Sequence, residues 1–592
     1  MRKPGDDRRR GRDRDSAALP AGSGAQGALL AQGAFPCRGG RGGSRRGRSG
    51  RGVNGRFYLT TAIFYPSPAP PLHSLFEVIG ADVLARYHRL VGDETRFLTG
   101  MDEHSANIER LARERGVEPH ALVDPWSDAW RLAFDRFAIT YDRFIRTTEP
   151  DHIRASVEMV RRAQEAGDIY KSTYSGWYCT GDNEFMTDAQ IVDGRCPDHP
   201  TLELQWLEEE NYFFRLSRYQ EQLEQLYREH PSFCEPEHFR NEVLGWLREG
   251  LRDFSVSRAS TTWGIPFPGD DGHRIYVWFD ALTNYLTGAG FPDDPEQFAA
   301  WWPADEHVIG MNITRFHCLY WPAMLMSAGL PLPRRVFAHG FMTLRGEKMS
   351  KTRGNVIPLE DAEALFGVDG VRYLVMREIA FDRGGDMTLE SLVRRYNADL
   401  ANDIGNLVQR TVSMAHRYLG GLLPPLASGG TGDDANAADA RLAEVAAATA
   451  ESYRQAMEQL RFDEALEAVI GLTRAANGYA ESQAPWTLGR AGQEERLGVV
   501  LAVMVEACRI LGHLLAPFTP TASAILHAEL GVPVTYDARG GGGPGLATLL
   551  EWGTGPAGRR TGTPQPLFPR IETSPPGATS RSAATPTTGL RS

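Results

Sequence analysis

The chain has 592 residues, 42% of them hydrophobic, 10% aromatic and 23% charged. That length calls for several domains rather than one core, and the composition is that of a globular protein. The net charge of −11 excludes a uniformly basic nucleic-acid coat, so an RNA partner must be met by local basic patches; no DNA partner is expected.

Six cysteines, at 37, 179, 196, 234, 318 and 508, are too few for a disulfide scaffold and fit a reducing cytoplasm. No uninterrupted apolar run reaches the ~18 residues of a membrane span.

Residues 1–53 hold thirteen Lys/Arg against four Asp, a net of +9, so the remainder carries −20. With almost no large apolar side chains, this segment is expected to be disordered. It reads as a basic RNA-binding arm or as a stretch upstream of a true product beginning near Val53; the second reading is the simpler. It contains no signal-peptide h-region.

Arg56 to Ile63 reads as a buried parallel strand, followed by the loop Phe64-Tyr-Pro-Ser-Pro-Ala-Pro-Pro71. Leu72, Leu75, Phe76, Ile79, Val83, Tyr87 and Leu90 then recur at helical spacing. Glu94 to Gly100 reads as the next strand, running into Met101-Asp-Glu-His-Ser, and a second helix spans 106–116. Strand, helix, strand, helix at this pitch predicts a doubly wound α/β sheet with its site at the carboxyl ends of the strands.

Residues 120–165 read as helical, with an aromatic stripe best taken as core. The stretch 170–199 is turn-rich and strand-like, and holds Cys179-Thr-Gly-Asp182 and Cys196-Pro-Asp-His199. Helices are expected after Glu208. Ile275-Tyr-Val-Trp-Phe279 reads as a strand followed by a helix from Asp280, and His307-Val-Ile-Gly310 as a strand feeding a helix.

Val336-Phe337-Ala338 approaches a loop carrying Lys348, Ser350, Lys351 and Thr352 between Gly346 and Gly354. Glycines on both sides let such a loop move. Two lysines three apart suit a polyphosphate whose charge is neutralised as it departs. From Pro358 to Leu530 helices dominate. The amphipathic stretches 442–479 and 497–530, preceded by a Gly/Ala/Asp-rich linker at 420–437, read as an antiparallel bundle. Residues 572–592 read as a disordered tail.

The stretch His339-Gly…Gly-Glu-Lys348-Met-Ser-Lys-Thr352-x-Gly-Asn resembles the second signature of class I aminoacyl-tRNA synthetases. Ala62-Ile-Phe-Tyr65-Pro-Ser, Thr99-Gly-x-Asp102-Glu-His104, Glu209-Glu-Asn-Tyr-Phe-Phe214, Trp263-Gly-Ile-Pro266, Tyr276-Val-Trp278-Phe-Asp-Ala281, Phe316-His317-x-x-Tyr-Trp-Pro-Ala323 and Leu400-Ala-Asn-Asp-Ile-Gly-Asn406 extend the likeness over residues 54–570. The set resembles the methionine-specific family of that class.

The resemblance implies a Rossmann-like doubly wound sheet with an inserted connective subdomain, followed by an all-α anticodon-binding bundle. The expected division is a basic tail at 1–53 and a catalytic domain at 54–345 with an insertion at 165–245 including the knuckle 179–199. A stem-contact region at 346–395, a bundle at 396–535 and an irregular segment at 536–592 follow.

The implied function is ligation of methionine to tRNA(Met) through methionyl-adenylate, with Mg-ATP as a substrate. By resemblance Lys348, Ser350 and Lys351 hold the leaving pyrophosphate, and His73 and Asn312 touch ATP. Ala62, Ile63, Tyr65, Trp278, Ala281, Tyr285, Ile313 and His317 enclose the thioether, and Asp102 pairs with the ammonium. Asn406, Arg410 and Trp486 read the anticodon. A monomer in the cytoplasm is expected, since no C-terminal oligonucleotide-binding extension is visible.

The chain departs from the family's pattern at four places. Where His-x-Gly-His is expected it has Pro71-Leu72-His73-Ser74, so both histidines are lost in the gapless register and the glycine becomes His73. That predicts weakened adenylation, and it leaves open a paralogue that binds methionine or tRNA without activating the amino acid. A sequencing or assembly fault across codons 66–76 accounts for it equally. Met311-Asn312 replaces Lys-Asp, Ser105 replaces Gly, and Asp182 replaces a cysteine in the knuckle. Cys179, Asp182, Cys196 and His199 still form a candidate structural Zn²⁺ site, because carboxylate oxygen is an acceptable zinc ligand.

Overall fold

A computed structural model describes residues 55–179, 184–186, 191–197, 202–348, 357–426, 434–532, 534, 544–555, 558 and 560–572. The expectations for residues 1–53 and for the tail beyond 572 lie outside these described residues.

Arg56–Thr61 is a strand whose side chains are buried on both faces after the first, as befits the middle of a parallel sheet. The sheet has six parallel strands. In spatial order they are Arg143–Arg146, Glu94–Met101, Arg56–Thr61, Glu306–Gly310, Val336–His339 and Cys234–Glu235. The order reverses between Arg56–Thr61 and Glu306–Gly310, where Leu59 pairs with Glu306 and Thr61 with Val308. This is the doubly wound sheet the sequence predicts, and its switch point is where such sheets bind ligands.

Each face of the sheet has its own core. On one, the helix Leu72–Val91 packs with Phe76, Ile79 and Leu84 fully buried. That helix stops where Gly92 takes φ 108° and its N–H turns back to Arg89 and His88 carbonyls, a left-handed stop that glycine adopts without strain. On the other face lie Pro150–Glu165 and Val277–Ala289, with Phe279, Leu286 and Met159 buried.

Several segments differ from the sequence expectation. The stretch 275–279 is not a strand: Asp270–Ile275 is the strand and Val277–Ala289 a helix, so Trp278 and Asp280 sit in a helical first turn. An unbroken apolar run cannot by its period separate a buried strand from a buried helix. Within 120–165 the helices His120–Arg136 and Pro150–Glu165 are parted by the strand Arg143–Arg146. The strand Gln205–Phe214 runs past Glu208, pairing antiparallel with Ile169–Cys179. Cys234–Glu235, inside the segment 165–245, belongs to the main sheet.

Beyond the sheet, Met342–Leu344 pairs with Gly385–Met387 on one side and with Glu347–Lys348 on the other. The stretch 442–479 forms two helices, Asp434–Glu458 and Phe462–Gln483, which pack with Glu494–Leu515; Asn406–Leu419 and Pro520–Glu529 pack on that same helix. Glu494–Leu515 is, among the described residues, the one helix long and apolar enough to cross a membrane, and it is buried inside this bundle. Arg372, fully buried, joins the two halves: its guanidinium donates to Asp82 (2.6 Å), Phe137 O (3.0 Å), Pro517 O (2.8 Å) and Phe518 O (3.1 Å). After residue 544 the chain adds the helix Gly545–Leu549 and returns to the bundle, where Ile571 N–H donates to Asn397 Oδ1 at 2.9 Å.

Candidate active site

A cavity of about 350 Å³ opens at the carboxyl ends of the central strands. Ala62, Ile63 and Tyr65 follow the strand Arg56–Thr61, Asp102 follows Glu94–Met101, and Asn312 and Ile313 follow Glu306–Gly310. Trp278, Ala281 and Tyr285 come from the helix Val277–Ala289, with His317 and His73 completing the set; all of them line the one cavity. Sequence reasoning named each of these residues.

One end of the cavity is aromatic and uncharged. Trp278 stacks on Phe316 with ring centroids 3.8 Å apart. His317 Nδ1 lies 3.0 Å from the carbonyl of Ile313, which can only accept, so this nitrogen carries the proton. Nε2 is then the acceptor for the Tyr285 hydroxyl at 2.7 Å. Burial drives His317 down to about 4 and the Tyr285 phenol up, so both groups stay neutral. Tyr58 donates its hydroxyl to Tyr285 O at 2.8 Å and locks the helix against the sheet. Ala62 and Ala281 keep the floor small, while Tyr65 is 43% exposed at the mouth.

Asp102 stands beside this compartment, 4% exposed, with Oδ1 buried and without a hydrogen-bond partner among the described residues. Burial, and then the charges of Asp280 and Glu103, push its carboxyl well above the ordinary range. A cation seated against it would reverse that shift.

The loop that carries Asp102 is fixed by its neighbours. Glu103 accepts from Arg146 (2.7 and 3.1 Å), Ser127 (2.5 Å) and Thr148 (2.5 Å). His104 Nδ1 meets Asp280 Oδ2 at 2.7 Å, and His152 Nε2 meets Asp280 Oδ1 at 2.6 Å. Burial pushes Asp280 up, but these two histidines outweigh it and hold the carboxyl below the usual range. Sequence reasoning missed Asp280, although it lies inside the quoted Tyr276–Ala281 motif; its partners are 124 to 176 residues away.

The other end is lined by Pro71, His73, Ser74, Glu77, His339 and Gly340. Pro71 caps the helix Leu72–Val91 with no side-chain hydrogen bond, and its carbonyl accepts from the Ser74 and Leu75 N–H groups at 3.0 and 3.3 Å. His73 is exposed at the mouth. Glu77 was not singled out from the sequence; it stands 2.9 Å from His339, which opens the quoted signature stretch. Phe341 and Met342, also in the wall, lead into the hairpin Met342–Leu344/Glu347–Lys348. The backbone of Lys348 pairs with Thr343; its side chain, with Ser350, Lys351 and Thr352, lies outside the described residues.

Two further predicted sites lie elsewhere. Cys179 and Cys196 are both buried in one small apolar cluster with Met186, while Asp182 and His199 lie outside the described residues. In the bundle, Asn406 is exposed at the start of Asn406–Leu419. One turn on, Arg410 lies 5.4 Å over the Trp486 ring and pairs with Glu481 at 2.9 Å.

Comparison with known proteins bears on the whole arrangement. The family described as tRNA synthetases class I (M) matches residues 57–205 and 203–412. The anticodon binding domain of methionyl tRNA ligase matches residues 429–574. A methionine–tRNA ligase of Thermosynechococcus vestitus is 40% identical over 522 residues, 87% of this chain and 97% of the relative. One from Brucella suis is 42% identical over 519 residues, 87% of this chain and 98% of the relative. The structure of a Mycobacterium tuberculosis methionyl-tRNA synthetase in complex with methionyl-adenylate is similar at a TM-score of 0.81 and 42% identity, covering 87% of this chain and 100% of that one. Matched through both its sheet and its helical bundle, the chain belongs to the methionyl-tRNA synthetases, the methionine–tRNA ligases of class I.

Proposed function

We propose that the chain activates methionine in the cavity described above and passes it to tRNA(Met). One observation carries the assignment of the site: an unpartnered buried carboxylate oxygen on Asp102 beside an uncharged aromatic compartment closed by Tyr285 and His317. An α-ammonium answers the first feature, and an unbranched, polarizable thioether the second.

In the first step a carboxylate oxygen of methionine attacks the α-phosphorus of ATP. The bond from that phosphorus to the bridging oxygen breaks and pyrophosphate leaves. In the second step the terminal ribose hydroxyl of tRNA attacks the acyl carbon, AMP departs and the hydroxyl proton is lost. Asp102 anchors the ammonium and so aims the carboxylate, which supplies most of the positioning such a reaction needs.

Lys348, Ser350 and Lys351 are assigned to the departing pyrophosphate, supported by the hairpin's origin in the cavity wall at Phe341 and Met342. His73 and Asn312 are assigned to ATP, which arrives as its magnesium complex. The uncapped start of Leu72–Val91 supports phosphate binding there, since helix N-termini attract anions. Each donor missing from the first signature costs about 2.7–4 kcal/mol of transition-state stabilisation, so adenylation proceeds more slowly than with His-x-Gly-His intact.

The burial of Cys179 and Cys196 in one cluster fits a structural zinc held with Asp182 and His199; bound there, the metal would stiffen the knuckle. Asn406, Arg410 and Trp486 are assigned to the anticodon, supported by the stacking of Arg410 on Trp486. We assign residues 54–345 to catalysis, 346–395 to the tRNA stem and 396–535 to the anticodon, in a cytoplasmic monomer.

The test is methionine-dependent exchange of labelled pyrophosphate into ATP, followed by acylation of tRNA(Met). Both are expected. Background exchange with tRNA binding retained would overturn the reading.

A further inference from the structure

We propose that Asp280 is a positioning residue for the amino-acid substrate: through His104 it sets where the Asp102 carboxylate stands relative to the helix that carries Trp278, Ala281 and Tyr285. This rests on the reading of the cavity as the methionine site.

Asp280 is fully buried in the first turn of the helix Val277–Ala289, between Trp278 and Ala281. Those two line the cavity, and Asp280 stands behind them. Oδ2 accepts from His104 Nδ1 at 2.7 Å. Oδ1 accepts from His152 Nε2 at 2.6 Å and from Ser156 Oγ at 3.1 Å. With both oxygens engaged inside the protein, Asp280 acts on a substrate through these partners.

The partners come from separate elements. His104 follows the strand Glu94–Met101, two residues after Asp102. His152 and Ser156 stand one turn apart on Pro150–Glu165. The features assigned to methionine are divided in the same way: the ammonium's partner is on the loop after a strand, and the aromatic wall is on a helix. Glu103, beside Asp102, is held by Ser127, Arg146 and Thr148, all outside that helix. The bond from His104 to Asp280 reaches the helix directly and so fixes the spacing between ammonium and thioether. Charge-assisted hydrogen bonds are short and strong, so a spacing held by one is stiff.

His104 has little freedom of its own. Its ring meets Trp263 edge-on at 5.3 Å, and Trp263 Nε1 donates to Glu103 O at 2.7 Å. The Asp102 N–H donates to Phe64 O at 2.8 Å. Asp280 also acts on Asp102 by its charge. After burial it is the next cause that raises the Asp102 carboxyl, followed by Glu103, which is itself paired with Arg146. A seated ammonium offsets that repulsion.

Pyrophosphate exchange on Asp280→Asn, His104→Ala and His104→Asn is the test. Asp280→Asn is expected to lower kcat/KM for methionine about 10–100-fold, the scale of a misplacement of about 1 Å, with KM for ATP within about twofold. His104→Ala cuts the link and should do the same. His104→Asn returns an N–H near the place of Nδ1 and should recover most of the loss. Two competitors separate position from general damage. Methioninol keeps the ammonium and should lose affinity along with methionine. The desamino analogue of methionine lacks it and should bind wild type and Asp280→Asn alike. The pH profile separates the two effects of Asp280. The interval over which methionine affinity rises with pH should move down in Asp280→Asn, where a raising charge is gone. It should stay in His104→Ala, where Asp280 remains paired with His152.

Equal losses for methionine and ATP in folded variants, an equal fall for both competitors, or no recovery in His104→Asn would each overturn the proposal. Thermal melting followed by tryptophan fluorescence checks that each variant is folded; if Asp280→Asn fails it, the two His104 variants carry the test. If the wild type shows no exchange, the adenylation reading has failed on its own. Equilibrium dialysis of labelled methionine against wild type and Asp280→Asn then decides the role of Asp280 separately, and equal binding, or none to either, overturns it.

Discussion

The two ends of the cavity are built on different physical terms. At the Trp278–His317 end, which we assign to methionine, nearly every polar group is committed within the protein: Tyr285 to His317, His317 to Ile313, Tyr58 to Tyr285. The exceptions are Asp102 Oδ1, Trp278 Nε1 and Asn284 Oδ1, which are buried without hydrogen-bond partners among the described residues. At the end we assign to the nucleotide the fixed element is the Glu77–His339 contact at 2.9 Å, and the mouth is formed by an exposed histidine and a helix start without a side-chain cap. A neutral side chain is recognised by a dry, prearranged wall. At the other end the polar groups stand at an open mouth, the setting we assign to a polyanion. Substitution within the first signature is therefore expected to act on one end and to leave the other whole.

The sharpest way to break this contrast is at Asp102. Breaking a buried charge pair costs about 3–5 kcal/mol, so Asp102→Ala should lower kcat/KM for methionine about 10²–10⁴-fold. The affinity for ATP in the absence of methionine should hold. If both substrates were lost together, the two ends would not be separable.

Next in size is repair of the other end. Changing Pro71→His, His73→Gly and Ser74→His together should raise pyrophosphate exchange about 10²–10³-fold if one donor is regained, with methionine binding unaltered. No gain would mean that the helix start and His73 already do the histidines' work.

Much of the cavity wall was legible in the sequence because its residues sit in short runs: Ala62 to Tyr65, Asp102 to His104, Trp278 to Tyr285, Ile313 to His317. What the sequence hid was long-range. Glu77 and His339 are 262 positions apart; His339 opens a quoted signature, but nothing in the sequence joins it to Glu77. Asp280 sits in plain view, but its role appears only when His104 and His152 converge on it. The strand Cys234–Glu235 is two residues long and lies between helices, too short for any alternation to register. The run 275–279 read as a strand because all its residues are apolar or aromatic; that Val277 starts a helix is decided by packing against the sheet.

A third and smaller effect separates the cavity from the bundle. Trp486→Ala should weaken tRNA(Met) by about 1–3 kcal/mol, seen as a raised KM in acylation. Pyrophosphate exchange without tRNA should be unaffected. A fall in exchange would mean that Trp486 supports the fold rather than the RNA.

The mildest probe is pH, and it tests the methionine end alone. In the empty enzyme burial and the neighbouring charges of Asp280 and Glu103 raise the Asp102 carboxyl well above its ordinary value. Bound methionine needs that group ionised, so binding must release a proton wherever the empty site still holds one. Affinity therefore rises with pH across the interval from the ordinary carboxylate value up to the raised one, and levels off above it. His317 cannot be the source of such a slope, because burial keeps it neutral down to about 4. Titration calorimetry in two buffers of different ionisation enthalpy measures the released proton directly. Asp102→Asn should abolish both the release and the slope. A slope surviving in that variant would move the ammonium's partner to another residue and dissolve the distinction between the two ends.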